Sequence, residues 1–104
     1  MKLLLAAITI FILFTSTGYA SSKTQRAHGA KIFTASGCMH CHSIRGSGGH
    51  KGPDLSGVGR RMNESRMQGQ ITNGSKQMPP FGDHLQSAEI KDLIAYLHSC
   101  KDKK

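Results

Sequence analysis

Apolar residues are spread unevenly along the chain: they open it as one run, recur at helical spacing near its end, and are thin between. The clearest periodicity lies at 88–99, where Ile90, Leu93, Ile94 and Leu97 recur at i, i+3, i+4 and i+7 and form one apolar stripe. Ser87 stands at the N-cap position, and Glu89 suits the positive end of the helix dipole. A first helix is predicted over 23–35, with Ala30 and Phe33 on the face that also carries Gly29 and Arg26. Gly29 lowers helix propensity there, a cost that predicts a second helix crossing close to its backbone. A weaker middle helix over 64–72 rests on Met67 and Ile71, with Asn73-Gly74 as its stop. No alternating strand pattern of useful length appears, so the expected class is all-α, with three to four short helices.

The opening run has another meaning. Lys2 precedes apolar residues 3–14, and Thr15-Ser16-Thr17-Gly18-Tyr19-Ala20 then offers small residues at the positions three and one before a cut after Ala20. This is the pattern of a cleaved secretory signal, residues 1–20. The competing reading, a retained anchor, is weakened because the run falls short of the ~20 residues a membrane-spanning helix needs. No cysteine sits at the cut, so lipoprotein processing is not expected. The chain has 104 residues, of which a cut after Ala20 leaves 84, a single domain over 21–104. Domains of this size bury little surface and lean on a staple or cofactor. With no Trp and 12 Gly, the composition suits loops wrapped closely around something flat.

Cys38-Met39-His40-Cys41-His42 supplies a candidate for that flat body, because C-x-x-C-H is the motif of covalent haem attachment. Two cysteines three apart fall on one side of a helical turn and can each form a thioether to one porphyrin. His42 then stands under the iron as an axial ligand. A redox dithiol would want a βαβ pattern nearby, which this chain lacks. A structural zinc site would need four ligands crowded within five residues to surround one tetrahedral ion. Export agrees with haem attachment and points to the periplasm or an equivalent compartment.

A sixth ligand to the iron has several candidates. Met39 and His40 lie within the attachment loop and cannot reach the opposite face. Met62 and Met67 fit the middle helix, where methionine is a core filler. Met78 differs, because Pro79 and Pro80 hold its segment extended and present the thioether with little entropy left to lose. Rigidity favours Met78, while His28, His50, His84 and His98 remain open alternatives on the residues alone. The segment Gly46-Ser47-Gly48-Gly49-His50-Lys51-Gly52 lacks phosphate-loop spacing and has no strand before it, so it is expected to be a flexible loop passing near the haem.

Four motifs in order carry a resemblance. They are Gly29 and Phe33 ahead of the attachment motif, Gly52-Pro53-Asp54-Leu55, Met78-Pro79-Pro80-Phe81, and Asp92-Leu93-Ile94-Ala95-Tyr96-Leu97. With these the chain resembles the class I monohaem cytochromes c, small carriers of single electrons in respiratory chains. The resemblance implies the small cytochrome c fold, with Gly29 and Phe33 crossing Tyr96 and Leu97. It also implies one haem c on Cys38 and Cys41, His42 as proximal and Met78 as distal iron ligand, and the Pro53 carbonyl accepting the other ring N–H of His42. Arg60, after Gly59, is the best candidate to meet a haem propionate. The short stretch from Pro53 to Met78 and the lack of Trp match the compact bacterial type. With both axial positions filled the protein is a shuttle and not an enzyme. The alternatives are a haem-bearing subunit of a membrane or dehydrogenase complex, and a ligand-binding or sensing haem protein in which Met78 is displaced.

Charge bears on partners. The 14 Lys and Arg outnumber 6 Asp and Glu, a formal charge of +8 that becomes +7 when Lys2 leaves with the leader. No recognised nucleic-acid module accompanies the charge, and export makes that role remote. Steering toward acidic patches on a redox donor and acceptor, or toward an anionic membrane surface, fits better. Lys51, Arg60, Arg61 and Lys76 are candidates to flank the haem crevice, against the plain reading of solvated surface charge; Lys101, Lys103 and Lys104 form a basic tail. The third cysteine, Cys100, is either a half-buried small residue in a monomer or the link of a disulfide dimer.

Overall fold

The computed structural model describes residues 22–103; the expected leader and its cut after Ala20 lie outside them. The elements in chain order are helix α1 (Ser22–Ala35), a 3₁₀ turn (Cys38–His40), strands β1 (Ser43–Ile44) and β2 (Ser47–Gly48), and helices α2 (Val58–Arg61), α3 (Glu64–Asn73) and α4 (Ser87–Ser99). The fold is the small all-α one, and the three expected helices are present within a residue of their predicted ends. The helix α2 and the two-residue antiparallel strands were not expected.

The crossing of α1 and α4 is set by Gly29. A side chain there would overlap the Asp92 carbonyl oxygen and stand 2.8 Å from Tyr96 Cβ, so only glycine lets the two backbones meet. Phe33 then packs edge-on against Tyr96 with ring centroids 5.7 Å apart. His28 and Asp92 pair at 2.6 Å on the rim of the same crossing. The buried face of α1 is Gly29, Ile32 and Phe33, whereas Arg26 is exposed. The expected stripe therefore needed Ile32 in place of Arg26.

From α4, Ile90, Leu93, Ile94 and Leu97 enter the core, with Leu93 2% exposed. The cap of α4 is Gln86 and not Ser87: the Gln86 amide donates to Glu89 Oε1 at 3.0 Å in a capping box. Met67 and Ile71 bring α3 onto this core as expected. Met62 does not belong to α3; it caps α2 and is half-buried. Asn63 instead caps α3, its side chain accepting from the Arg66 amide at 2.9 Å. The short α2 lies against the end of α4, where the Gly59 amide donates to the Cys100 carbonyl at 2.9 Å.

Candidate functional site

Beyond α1 the chain turns at once into the cysteine pair. The amides of Cys41 and His42 both donate to the Cys38 carbonyl, at 3.3 and 2.9 Å, closing one tight turn. Cys38 and Cys41 are free thiols, both half-buried. Burial pushes the Cys38 thiol above its ordinary 9.0, with the neighbouring Cys41 adding to the rise, so it is a neutral thiol near pH 7.

The glycine-rich segment that follows is wound over this turn by hydrogen bonds. Arg45 and Gly46, with φ of 52° and 80°, form the two-residue turn between β1 and β2. The Gly49 amide donates to the Met39 carbonyl at 2.8 Å and the Gly52 amide to the Cys41 carbonyl at 2.7 Å. The segment is thus a fastened wrap, not the free loop expected, because its glycines allow backbone-to-backbone approach.

His42 receives the most specific arrangement. Its Nδ1 lies 2.7 Å from the Pro53 carbonyl, which can only accept, so Nδ1 carries the proton and Nε2 keeps its lone pair. The bond was expected from resemblance. The packing of Gly52 on the imidazole was not: a Cβ there would stand 2.7 Å from Cε1 and 2.9 Å from Nδ1 of His42. Beyond Pro53, the Arg61 guanidinium donates to the carbonyls of Ser56 at 2.6 Å and Asp54 at 3.0 Å and stiffens the segment. Arg60, the residue singled out from sequence, is exposed on α2.

Met78 is held on a separate strap. Past α3 the chain doubles back: the Ser75 amide donates to the Met78 carbonyl at 2.9 Å, Phe81 to Ile71 at 2.9 Å and Gly82 to Thr72 at 3.1 Å. Gln70 Nε2 donates to the Met78 sulfur at 3.4 Å. Met78 and Cys38 both border the one apolar core. Of the residues read from sequence, Cys38, Cys41, His42 and Pro53 are gathered in one stretch, Met78 sits on its own strap, and Arg60 lies on α2. Gln70 was missed, and Arg61, named only as a candidate to flank the crevice, was not expected to hold the Asp54 and Ser56 carbonyls, since a polar residue on an exposed helix face gives no local sign of its partner.

Two thiols one turn apart beside an imidazole with a free Nε2, on a small helical shell, define a c-type haem-attachment protein. Comparison with known proteins agrees. Residues 24–97 match the family described as cytochrome c oxidase, cbb3-type, subunit III. Cytochrome c6 of Nostoc sp. (strain PCC 7120) is 33% identical, over 92% of this chain and 87% of that protein. The cytochrome bc1 complex cytochrome c subunit of Corynebacterium diphtheriae is 35% identical over 73% of this chain but only 27% of its own length. Among solved structures, the c-type cytochrome SorU from Sinorhizobium meliloti superposes with a TM-score of 0.66 at 26% identity, covering 78% of this chain and 95% of that one. The chain belongs to the monohaem class I cytochromes c and is a haem c electron carrier. The donor set fits that group: two cysteine thiols for thioether bonds, an oriented imidazole and a soft thioether.

Proposed function

We propose that this protein is an exported shuttle of single electrons whose haem is held by Cys38 and Cys41 and ligated by His42 and Met78. The observation that carries the reading is the 2.7 Å bond from His42 Nδ1 to the Pro53 carbonyl, which fixes the orientation of the ring and leaves Nε2 as the donor. When bound, the haem supplies one-electron chemistry at its iron. With His42 and Met78 both holding it, the iron would be closed to small molecules, which would leave the chain the task of carrying electrons and no catalytic role. The Met78 thioether, soft and uncharged, favours the ferrous state, and Gln70 draws further density from the sulfur. Arg60 is the proposed propionate contact. Closure of both faces predicts that the reduced protein takes up no carbon monoxide at neutral pH; rapid stoichiometric uptake would sink the reading.

The cut after Ala20 would release the domain into the periplasm or an equivalent space, and among the described residues no helix is long and apolar enough to cross a membrane. Redox donor and acceptor proteins with acidic docking surfaces suit the formal charge of +7 that the cut would leave. Cys100 suits a monomer, because its thiol is half-buried and donates to the Tyr96 carbonyl at 3.4 Å. A second reading, a subunit of a larger complex, draws on the oxidase-subunit family and on the bc1 relative. Co-fractionation with membranes after a salt wash would favour that subunit; recovery in the soluble fraction would favour the shuttle.

A further inference from the structure

We infer that Asn73 is a site of spontaneous deamidation, shut while the Met78 strap is closed and opened when the strap lifts. Asn73 is the exposed last residue of α3, and Gly74 follows it. A glycine amide nitrogen has no neighbouring side chain to shield it, so an asparagine amide just before it is open to attack from its own backbone. The fold requires that glycine. Gly74 has a φ of 64°, and a Cβ there would overlap the Met78 carbonyl oxygen and stand 2.7 Å from the Pro79 carbonyl carbon.

The reaction needs no partner but water. The Gly74 nitrogen bonds to the side-chain carbonyl carbon of Asn73, the bond from that carbon to the amide nitrogen breaks, and ammonia leaves with the Gly74 proton. Water then opens the five-membered imide at either carbonyl, leaving an aspartyl or an isoaspartyl residue at position 73. No electron is transferred.

In the closed fold the attacking nitrogen is occupied, because the Gly74 amide donates to the Gln70 carbonyl at 2.9 Å as the last bond of α3. The next two carbonyls of the helix end, Ile71 and Thr72, accept from Phe81 at 2.9 Å and Gly82 at 3.1 Å. A helix end has no partners of its own for these groups, so the far side of the loop that carries Met78 caps the last turn. When the strap lifts, Phe81 and Gly82 leave with it, the turn frays, and the Gly74 nitrogen is released toward Asn73. The gate is the strap; that the iron keeps it shut through Met78 rests on the ligation proposed above.

The product opposes reclosure. A new carboxylate would stand at the negative end of the α3 dipole, whose last turn holds no basic residue. The isoaspartyl form also lengthens the backbone by one carbon beside the close fit of Gly74 against Met78. The modification thus makes a passing release of Met78 permanent.

The test is incubation of the mature haem-loaded protein at mildly alkaline pH, followed by peptide mass mapping and enzymatic methylation of isoaspartate. Met78→Ala should deamidate at Asn73 about tenfold or more faster than wild type. Gly82→Ala keeps Met78 but sets a methyl group 2.8 Å from Thr72 Cγ2, and it should also outpace wild type. Asn63, which caps α3 and precedes Glu64, should stay intact in all three. Far-ultraviolet circular dichroism certifies each variant as folded. Equal rates at Asn73 in wild type and both variants, or no reaction in any, would overturn the inference. The methionine-to-iron band of ferric wild type keeps the two questions apart. With the band present, equal rates strike the gate alone; a wild type without it strikes the ligation, and Gly82→Ala then decides the gate. On long incubation wild type should lose the band in step with isoaspartate while Asn73→Gln keeps it. Loss at the same rate in Asn73→Gln would overturn the link from modification to Met78.

Discussion

The side-chain amide of Gln70 donates to the sulfur of Met78 across 3.4 Å, joining the exposed face of α3 to the strap that follows it. A donor on a thioether occupies one lone pair and weakens the other as a ligand, which favours ferrous iron over ferric. Gln70→Leu should therefore lower the reduction potential. A net hydrogen bond of about 0.5–1.5 kcal/mol sets an upper bound of roughly 60 mV on the shift. Potentiometric titration reads it directly; an unchanged potential would mean that the amide does not act on the iron.

Two helical glycines should respond oppositely to alanine. Gly29→Ala drives a methyl group into the Asp92 backbone and should cost about 1–3 kcal/mol, even after the gain in helix propensity. Gly69 has nothing within 4 Å of the corresponding position, so Gly69→Ala should stabilise by about 0.5–1 kcal/mol. Urea midpoints of the haem-loaded proteins check both signs.

Gly52→Ala should act on the imidazole and not on the core. The added methyl would stand 2.7–3.2 Å from three atoms of the His42 ring and must tilt it or lengthen its bond to Pro53. The expected result is an altered electron paramagnetic resonance spectrum of the ferric protein, with far-ultraviolet circular dichroism unchanged. A wild-type spectrum would show that the wrap yields instead.

Stability at alkaline pH should depend on Cys100. Burial raises its thiol above the ordinary 9.0, and burial together with Cys100 raises Tyr96 above 10.0. The folded chain holds these protons more tightly than the unfolded chain. Their contribution is complete below the unfolded values and is lost as pH climbs past them through the folded ones. Cys100→Ser should narrow the fall in urea midpoint between pH 8 and pH 10.5; an identical fall would assign the loss to other groups.

Some of this molecule was legible from residues because its signals are local. The stripe of Ile90, Leu93, Ile94 and Leu97 has a helical period, and the cost of Gly29 inside a helix has one common cause, a close crossing. The capping of α4 was misplaced by one residue, since Gln86 and Ser87 are both able to cap and only Glu89 reaching back selects Gln86. Helix α2 has too few residues to show a period; it exists because Gly59 lets it lie on the end of α4. The wrap over the cysteine turn was taken for a free loop because its fasteners are backbone groups. Gln70 and Arg61 illustrate the remaining limit. Each looks like an ordinary polar surface residue until a distant segment returns to meet it, Met78 in one case and the Asp54–Ser56 carbonyls in the other.

Whether Met78 occupies the iron is read from the ferric absorption spectrum of wild type and Met78→Ala. Wild type should show the weak long-wavelength band of methionine-to-iron charge transfer, and Met78→Ala should lose it while keeping its covalent haem. Survival of that band in Met78→Ala would move the ligand to another residue and contradict the account.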